Sequence, residues 1–179
     1  MQNTSLSKED KTDQRALNKF FLDELRDVYG AEKMLTKALP ELEKAATSPD
    51  LAMAFADHLQ VTEKQIGRLE QVFQMLGENP EAKKCEGMEG LIKEGQTMMK
   101  DTEAGTTTRD MALIVSAQKV EHYEIAAYGS LRQVARTIGK PELSQLLEET
   151  LQEEKETDML LSNLADMMIN LKANQTAKE

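Results

Sequence analysis

Four long stretches of this sequence repeat apolar residues at steps of three and four, and that periodicity restricts the chain to packed helices. In the first, predicted over 14–46, Phe21, Leu25, Val28, Leu35, Leu39 and Leu42 share one face. Pro40 lies inside it and predicts a kink or the end of its regular part. Ser48 and Pro49 then supply an N-cap and a first-turn proline. The second helix is predicted over 49–76 on Leu51, Phe55, Leu59, Ile66, Leu69, Phe73 and Leu76, with Gly77 as its terminator. The third, over 108–138, starts at a Thr107-x-x-Asp110 pattern resembling a capping box and stops at Gly139. The fourth runs from Pro141 to about residue 171. Aromatic residues make up only 4% of the chain and there are only 9 Gly and 4 Pro, which disfavours the turn-rich sandwiches and barrels.

The connections set the topology. Links near 47 and near 139 are so short that each forces an antiparallel helix hairpin. The link between the hairpins is about 29 residues, and in helical form it would span about 43 Å, the length of such helices. Its apolar segment from Met88 to Met99 predicts a short helix. The expected fold is therefore all-α: a ferritin-like four-helix bundle of two antiparallel hairpins joined by a long crossover containing a short helix. Residues 13–172 are expected to form it, with polar tails at 1–12 and 173–179.

Charge and composition remove several function classes. With 32 acidic and 22 basic residues the net charge is −10, the wrong sign for a nucleic-acid partner. The longest apolar run, Met111 to Val115, is far too short to span a membrane. The polar N-terminus predicts no signal peptide, and the single cysteine, Cys85, fits a reducing compartment, so the expected location is cytoplasmic. The chain shows no Ser/His/Asp set, phosphate loop or CxxC motif.

Function is expected where polar residues interrupt the apolar faces. Glu32 breaks the first stripe; His58 and Thr62 break the second, with Gln65 slightly off its line. Glu121 and Glu124 break the third; Glu154 and Thr157 break the fourth, with Asp158 at its edge. Glu32 and Thr62 stand about 15 residues either side of the first turn, as do Glu124 and Glu154 about the second, so they are level in the bundle. His58 is about one turn nearer its loop. Buried carboxylates at one level repel one another unless protons or a cation neutralise them. Carboxylates with an imidazole suit iron or manganese. The expected site is Glu32, Glu121, Glu124 and Glu154 holding iron (two ions) or manganese, with His58 and Asp158 as auxiliary ligands and Glu153 as a substitute should the helix rotate. The chemistry open to it is Fe(II) oxidation or peroxide removal, with Tyr128 supplying a hydrogen bond. The rival expectation is a metal-free structural or interaction protein whose polar layer only fixes helix register.

Other features read more plainly. His122 is expected at a surface or interface. Lys83 and Lys84 immediately precede Cys85 and could lower its pKa, although a lone cysteine there is expected to be inert. The 11 Met are expected as core and interface filler.

The stretches DELRDVYGAEKMLTKALPELEKAA (23–46), HLQVTEKQIGRLEQVF (58–73), KCEGMEGLIKEG (84–95), AQKVEHYEIAAYGSL (117–131) and ETLQEEKETD (149–158) resemble the YciE/YciF-type ferritin-like family of bacterial proteins. The resemblance covers most of residues 20–165. It implies a cytoplasmic, homodimeric bundle similar to rubrerythrins, linked to bacterial stress responses and carrying a two-metal centre. Rubrerythrin-like sites have Glu-x-x-Glu on the third helix, which Glu121 and Glu124 match. Their first-helix and fourth-helix Glu fall on Glu32 and Glu154. Their second-helix Glu falls on Thr62, and their two His positions are not His here. The resemblance does not supply an electron donor or protein partner.

Overall fold

The computed structural model describes residues 8–176, with the side chains of 12–168. The chain folds into five α-helices: α1 (Lys8–Ala45), α2 (Pro49–Leu76), α3 (Glu86–Asp101), α4 (Thr107–Thr137) and α5 (Pro141–Thr176). No strand occurs among the described residues. α1 packs on α2, α2 on α5, α5 on α4 and α4 on α1, so the long helices form a closed ring. Neighbours run antiparallel. Phe21 and Leu25 share an apolar cluster with Leu69 and Phe73, while Leu35 and Leu39 share another with Leu51 and Phe55. The α4–α5 pair has the same sense, because Gln118 reaches Ser162 whereas Arg132 reaches Glu148.

The turns follow from local chemistry. Gly77 and Gly139 adopt the left-handed backbone (φ 73° and 74°) that ends α2 and α4. Pro40 does not end α1, which continues to Ala45. The proline costs a backbone hydrogen bond only near the helix end, where packing of Leu39 and Leu42 maintains the helical path. α1 begins at Lys8 and α5 reaches Thr176, so both helices enter stretches predicted as tails. Extending an existing helix fixes one residue per added hydrogen bond, which is cheap compared with nucleation. The remainder of those tails, 1–7 and 177–179, lies outside the described residues.

The capping at the start of α4 differs from the pattern in the sequence. Thr106 is the N-cap, its hydroxyl accepting from the Arg109 amide at 3.2 Å. Asp110 is thereby released to bind another element. Its carboxylate accepts from the amides of Thr47 (2.6 Å) and Ser48 (2.9 Å), the turn between α1 and α2. Ser48 occupies the expected N-cap position of α2, but its side chain makes no capping bond. One buried carboxylate therefore latches the first hairpin to the second.

The crossover packs against α1 and α4. The Lys83 amide donates to the Arg26 carbonyl of α1 at 3.0 Å. A Cβ on Gly30 would lie 1.9 Å from the Lys83 carbonyl oxygen, so only glycine permits this backbone contact. Small residues also seat α3: a Cβ on Gly95 would meet Ser116 Oγ at 2.3 Å, and one on Gly87 would meet the Tyr123 ring at 2.9 Å. Arg109 holds the far end, donating to the Met99 carbonyl at 2.6 Å and to Thr102 Oγ1 at 2.8 Å.

The same substitution should act oppositely at two helical glycines. Gly30→Ala drives a methyl into the crossover backbone and should lower stability by about 1–3 kcal/mol. Gly67→Ala meets open space and should raise it by roughly 0.5–1 kcal/mol through helix propensity. Urea midpoints of the two variants measure both signs.

Candidate metal centre

A polar layer divides the interior. On one side lies a cluster built on Phe21, Leu25, Leu69, Phe73, Tyr128 and Leu147. On the other lies one built on Leu35, Leu51, Phe55, Met88, Leu113 and Leu161. Between them Glu32, His58, Thr62, Gln65, Glu121, Glu124 and Glu154 are all buried, none more than 5% exposed. Each long helix contributes at least one residue, because each apolar stripe is interrupted at the same height. Glu121 and Glu124, three apart on α4, project side by side.

Four of the predicted site residues converge. His58, Glu121, Glu124 and Glu154 each present a ligand atom, and these atoms all lie within 4.8 Å of one another. His58 Nε2 stands 3.5 Å from Glu121 Oε1. Glu32 is fully buried beside this group and accepts a hydrogen bond from Tyr128 Oη. Asp158 stands apart, a turn further along α5, where it faces exposed His122 at 3.3 Å and is itself partly exposed. Glu153 is also held away from the group: Arg68 clamps both its oxygens at 2.9 Å.

Eight side-chain atoms of the layer have no hydrogen-bond partner: Glu32 Oε2, His58 Nε2, Thr62 Oγ1, Gln65 Oε1, Glu121 Oε2, both oxygens of Glu124, and Glu154 Oε2. With neither a proton nor a cation to pair it, each such atom would cost about 1–3 kcal/mol, and together on the order of 10 kcal/mol, comparable with a domain's whole net stability. Burial is the main cause of the shifted protonation here. It pushes the carboxyls of Glu32, Glu121 and Glu124 well above the usual range, and the charge of Glu154 adds to each. Glu154 is pushed up to about 7 by burial, opposed first by a side-chain hydrogen bond with Glu121 and then by one from Gln65. His58 is lowered to about 4 by burial and is neutral at pH 7.

A neutral imidazole beside carboxylate oxygens that no protein donor occupies is what a divalent cation requires. Thr157 Oγ1 donates to the Glu153 carbonyl at 3.1 Å and lies 3.5 Å from His58 Nδ1. With the ring proton on Nδ1, this contact would leave the Nε2 lone pair toward the carboxylates, the orientation expected of a metal-bound histidine. The residues therefore fit a cation on chemistry and on geometry.

Several contacts were not legible as function in the sequence. Gln65 is fully buried and its amide bridges Glu153 (3.1 Å) to Glu154. The signal was its place three residues after Thr62 and three before Arg68. Cys85 behaves opposite to the expectation from its neighbours. Burial raises its pKa, and Lys84 is engaged by Glu86 (3.1 Å) and Glu89 (2.8 Å) instead. The thiol caps α3, accepting from the Met88 amide at 3.3 Å, and lies 2.9 Å from Tyr123 Oη, which donates to Asp27 at 3.0 Å.

These shifts predict an unusual stability profile for chelator-treated protein. Carboxyls whose folded pKa is raised keep their protons after the unfolded chain has lost them near its ordinary value of 4.5. Stability is therefore lost as pH rises from there, through about 7 for Glu154. His58, with its folded pKa lowered from 6.5 to about 4, opposes this only below 6.5. Between pH 6.5 and 8 the metal-free melting temperature should fall. Glu124→Gln should raise that melting temperature at pH 8 and flatten the slope. A melting temperature that rises through this window would contradict the assignment.

The chain is similar to known proteins over most of its length. YciF of Escherichia coli K12 is 44% identical over 165 residues, which is 91% of this chain and 98% of that protein. The crystal structure of the E. coli stress protein YciF superposes with a TM-score of 0.82 at 44% identity, over 86% of this chain and 97% of that one. YcfI from Rhodopseudomonas palustris gives a TM-score of 0.80 at 40% identity, over 82% and 92% of the two chains. The family described as a domain of unknown function, DUF892, matches residues 16–174, and the chain belongs to that family.

Proposed function

We propose that this chain is a ferritin-like four-helix bundle that binds iron, or manganese, at a dinuclear carboxylate site. Glu121, Glu124, Glu154 and His58 would form its centre, with Glu32 completing it from α1. The observation that carries the proposal is the set of buried, donorless carboxylate oxygens facing a neutral imidazole. Four carboxylates and one imidazole offer more donor atoms than a single octahedral ion accepts, which favours two ions. In the metal-free alternative, a polar layer that fixes register, protons shared among the carboxyls, as between Glu121 and Glu154, would have to compensate those atoms. Asp158, which faces His122, would lie outside the centre.

The chain's own residues prepare the site for redox chemistry. Tyr128 holds Glu32 by one oxygen and leaves the other free to bind. Gln65 orients Glu154, and Thr157 orients His58. The apolar clusters above and below exclude water. Bound iron would supply one-electron transfer, which supports Fe(II) oxidation or peroxide removal as the reaction. The similarity to a stress protein supports a role in bacterial stress. No described helix is long and apolar enough to cross a membrane, which supports a cytoplasmic setting. A homodimer is the proposed assembly, and exposed Phe20, Met53, Met159 and Met167 supply apolar surface for contact.

Melting with and without metal tests the proposal. Anaerobic Fe(II) or Mn(II) at about a hundredfold excess over Kd should raise the melting temperature of chelator-treated protein by about 5–10 °C. Glu124→Gln should abolish that rise without unfolding the protein, whereas Asp158→Asn should keep it. No rise with either ion would contradict metal binding.

A further inference from the structure

A cavity of about 30 Å³ adjoins the carboxylate–histidine layer. Its floor includes His58 and Glu121, and its outer rim includes the exposed Glu41 and Gln96. Between floor and rim the walls are Leu35, Leu39, Ile92, Met99, Ala117 and Val120, from α1, α3 and α4. α3 roofs the space, and the small residues Ala38 and Ala117 line it. The cavity thus links the protein surface to two of the four converging ligand residues.

Its size and lining limit the occupant. A water-sized molecule needs roughly 10–15 Å³ on this measure, so there is room for a diatomic molecule and not for an organic substrate. The accessible wall is almost wholly apolar. Apolar cavities of this kind stay dry and take up apolar gases. Hydrogen peroxide would lose its hydrogen bonds to water on entering and find few in return. Ions would lose far more. Dioxygen has no such cost.

We propose that this cavity is a dioxygen-binding site that delivers the gas to the layer at His58 and Glu121. The proposal rests on the metal-centre reading and adds the oxidant and its route.

Xenon is the probe, since it is an apolar gas and needs no bound metal. Xenon-pressurised crystals of the full chain should show xenon between α3 and Ala117. Ala117→Leu should lose that peak while anaerobic Fe(II) binding stays at the wild-type level, and its Fe(II)-loaded form should consume dioxygen more slowly. Should Ala117→Leu fail to fold, Ile92→Phe on the roof serves the same purpose. Absence of xenon from the wild-type cavity would overturn the proposal, as would wild-type dioxygen consumption by a filled variant. Xenon in the cavity of a protein that binds no Fe(II) would instead overturn the metal centre, and the role of dioxygen with it.

Discussion

Desolvation of four carboxylates at one level of the bundle is the constraint around which this structure is organised. Glu32, Glu121, Glu124 and Glu154 take the place of apolar residues that would otherwise join the two hydrophobic clusters into one. The clusters on either side supply the burial that stabilises the fold, and that same burial makes the layer costly. Such an arrangement persists when the layer gains something on folding, through protons in the metal-free state or cations in the loaded one. On the proposed function, stability and metal binding would be coupled through the same oxygens.

The crossover has a second role that follows from the first. It carries the chain from one end of the bundle to the other, and the absence of a Cβ at Gly30 lets its backbone lie directly on α1. Cys85 then caps α3 and Arg109 anchors its end, so α3 covers the α1–α4 face beside Glu121. Asp110 ties the opposite hairpin turn to the start of α4, which holds the four stripe breaks level. Each contact is modest on its own, but together they set the height at which the ligands meet.

Much of this was legible in the sequence because helical periodicity is a local signal. The breaks at Glu32, His58, Glu121, Glu124 and Glu154 stood out against regular stripes, and counting from the turns placed the four carboxylates level, with His58 about one turn nearer its loop. The edge position of Asp158 was visible, but not that His122 would engage it, since rotation about the helix axis decides such matters. The bridge of Gln65 to Glu153 and Glu154 depends on a long side chain reaching across to another helix, which spacing alone does not reveal. Asp110 resembled a local cap because its true partners, Thr47 and Ser48, are distant in sequence. The lysines beside Cys85 suggested a lowered pKa, whereas packing buried the thiol and turned Lys84 to Glu86 and Glu89.

The central claim is that the buried layer is a cation site and not merely a polar spacer. Anomalous diffraction at the iron edge, from crystals loaded anaerobically with Fe(II), addresses it directly. The account predicts two peaks in the layer, within bonding distance of Glu121, Glu124, Glu154 and His58, with Glu32 reaching one of them. A layer without anomalous density in fully loaded crystals would contradict it, and would assign the carboxylates to a protonated, structural role.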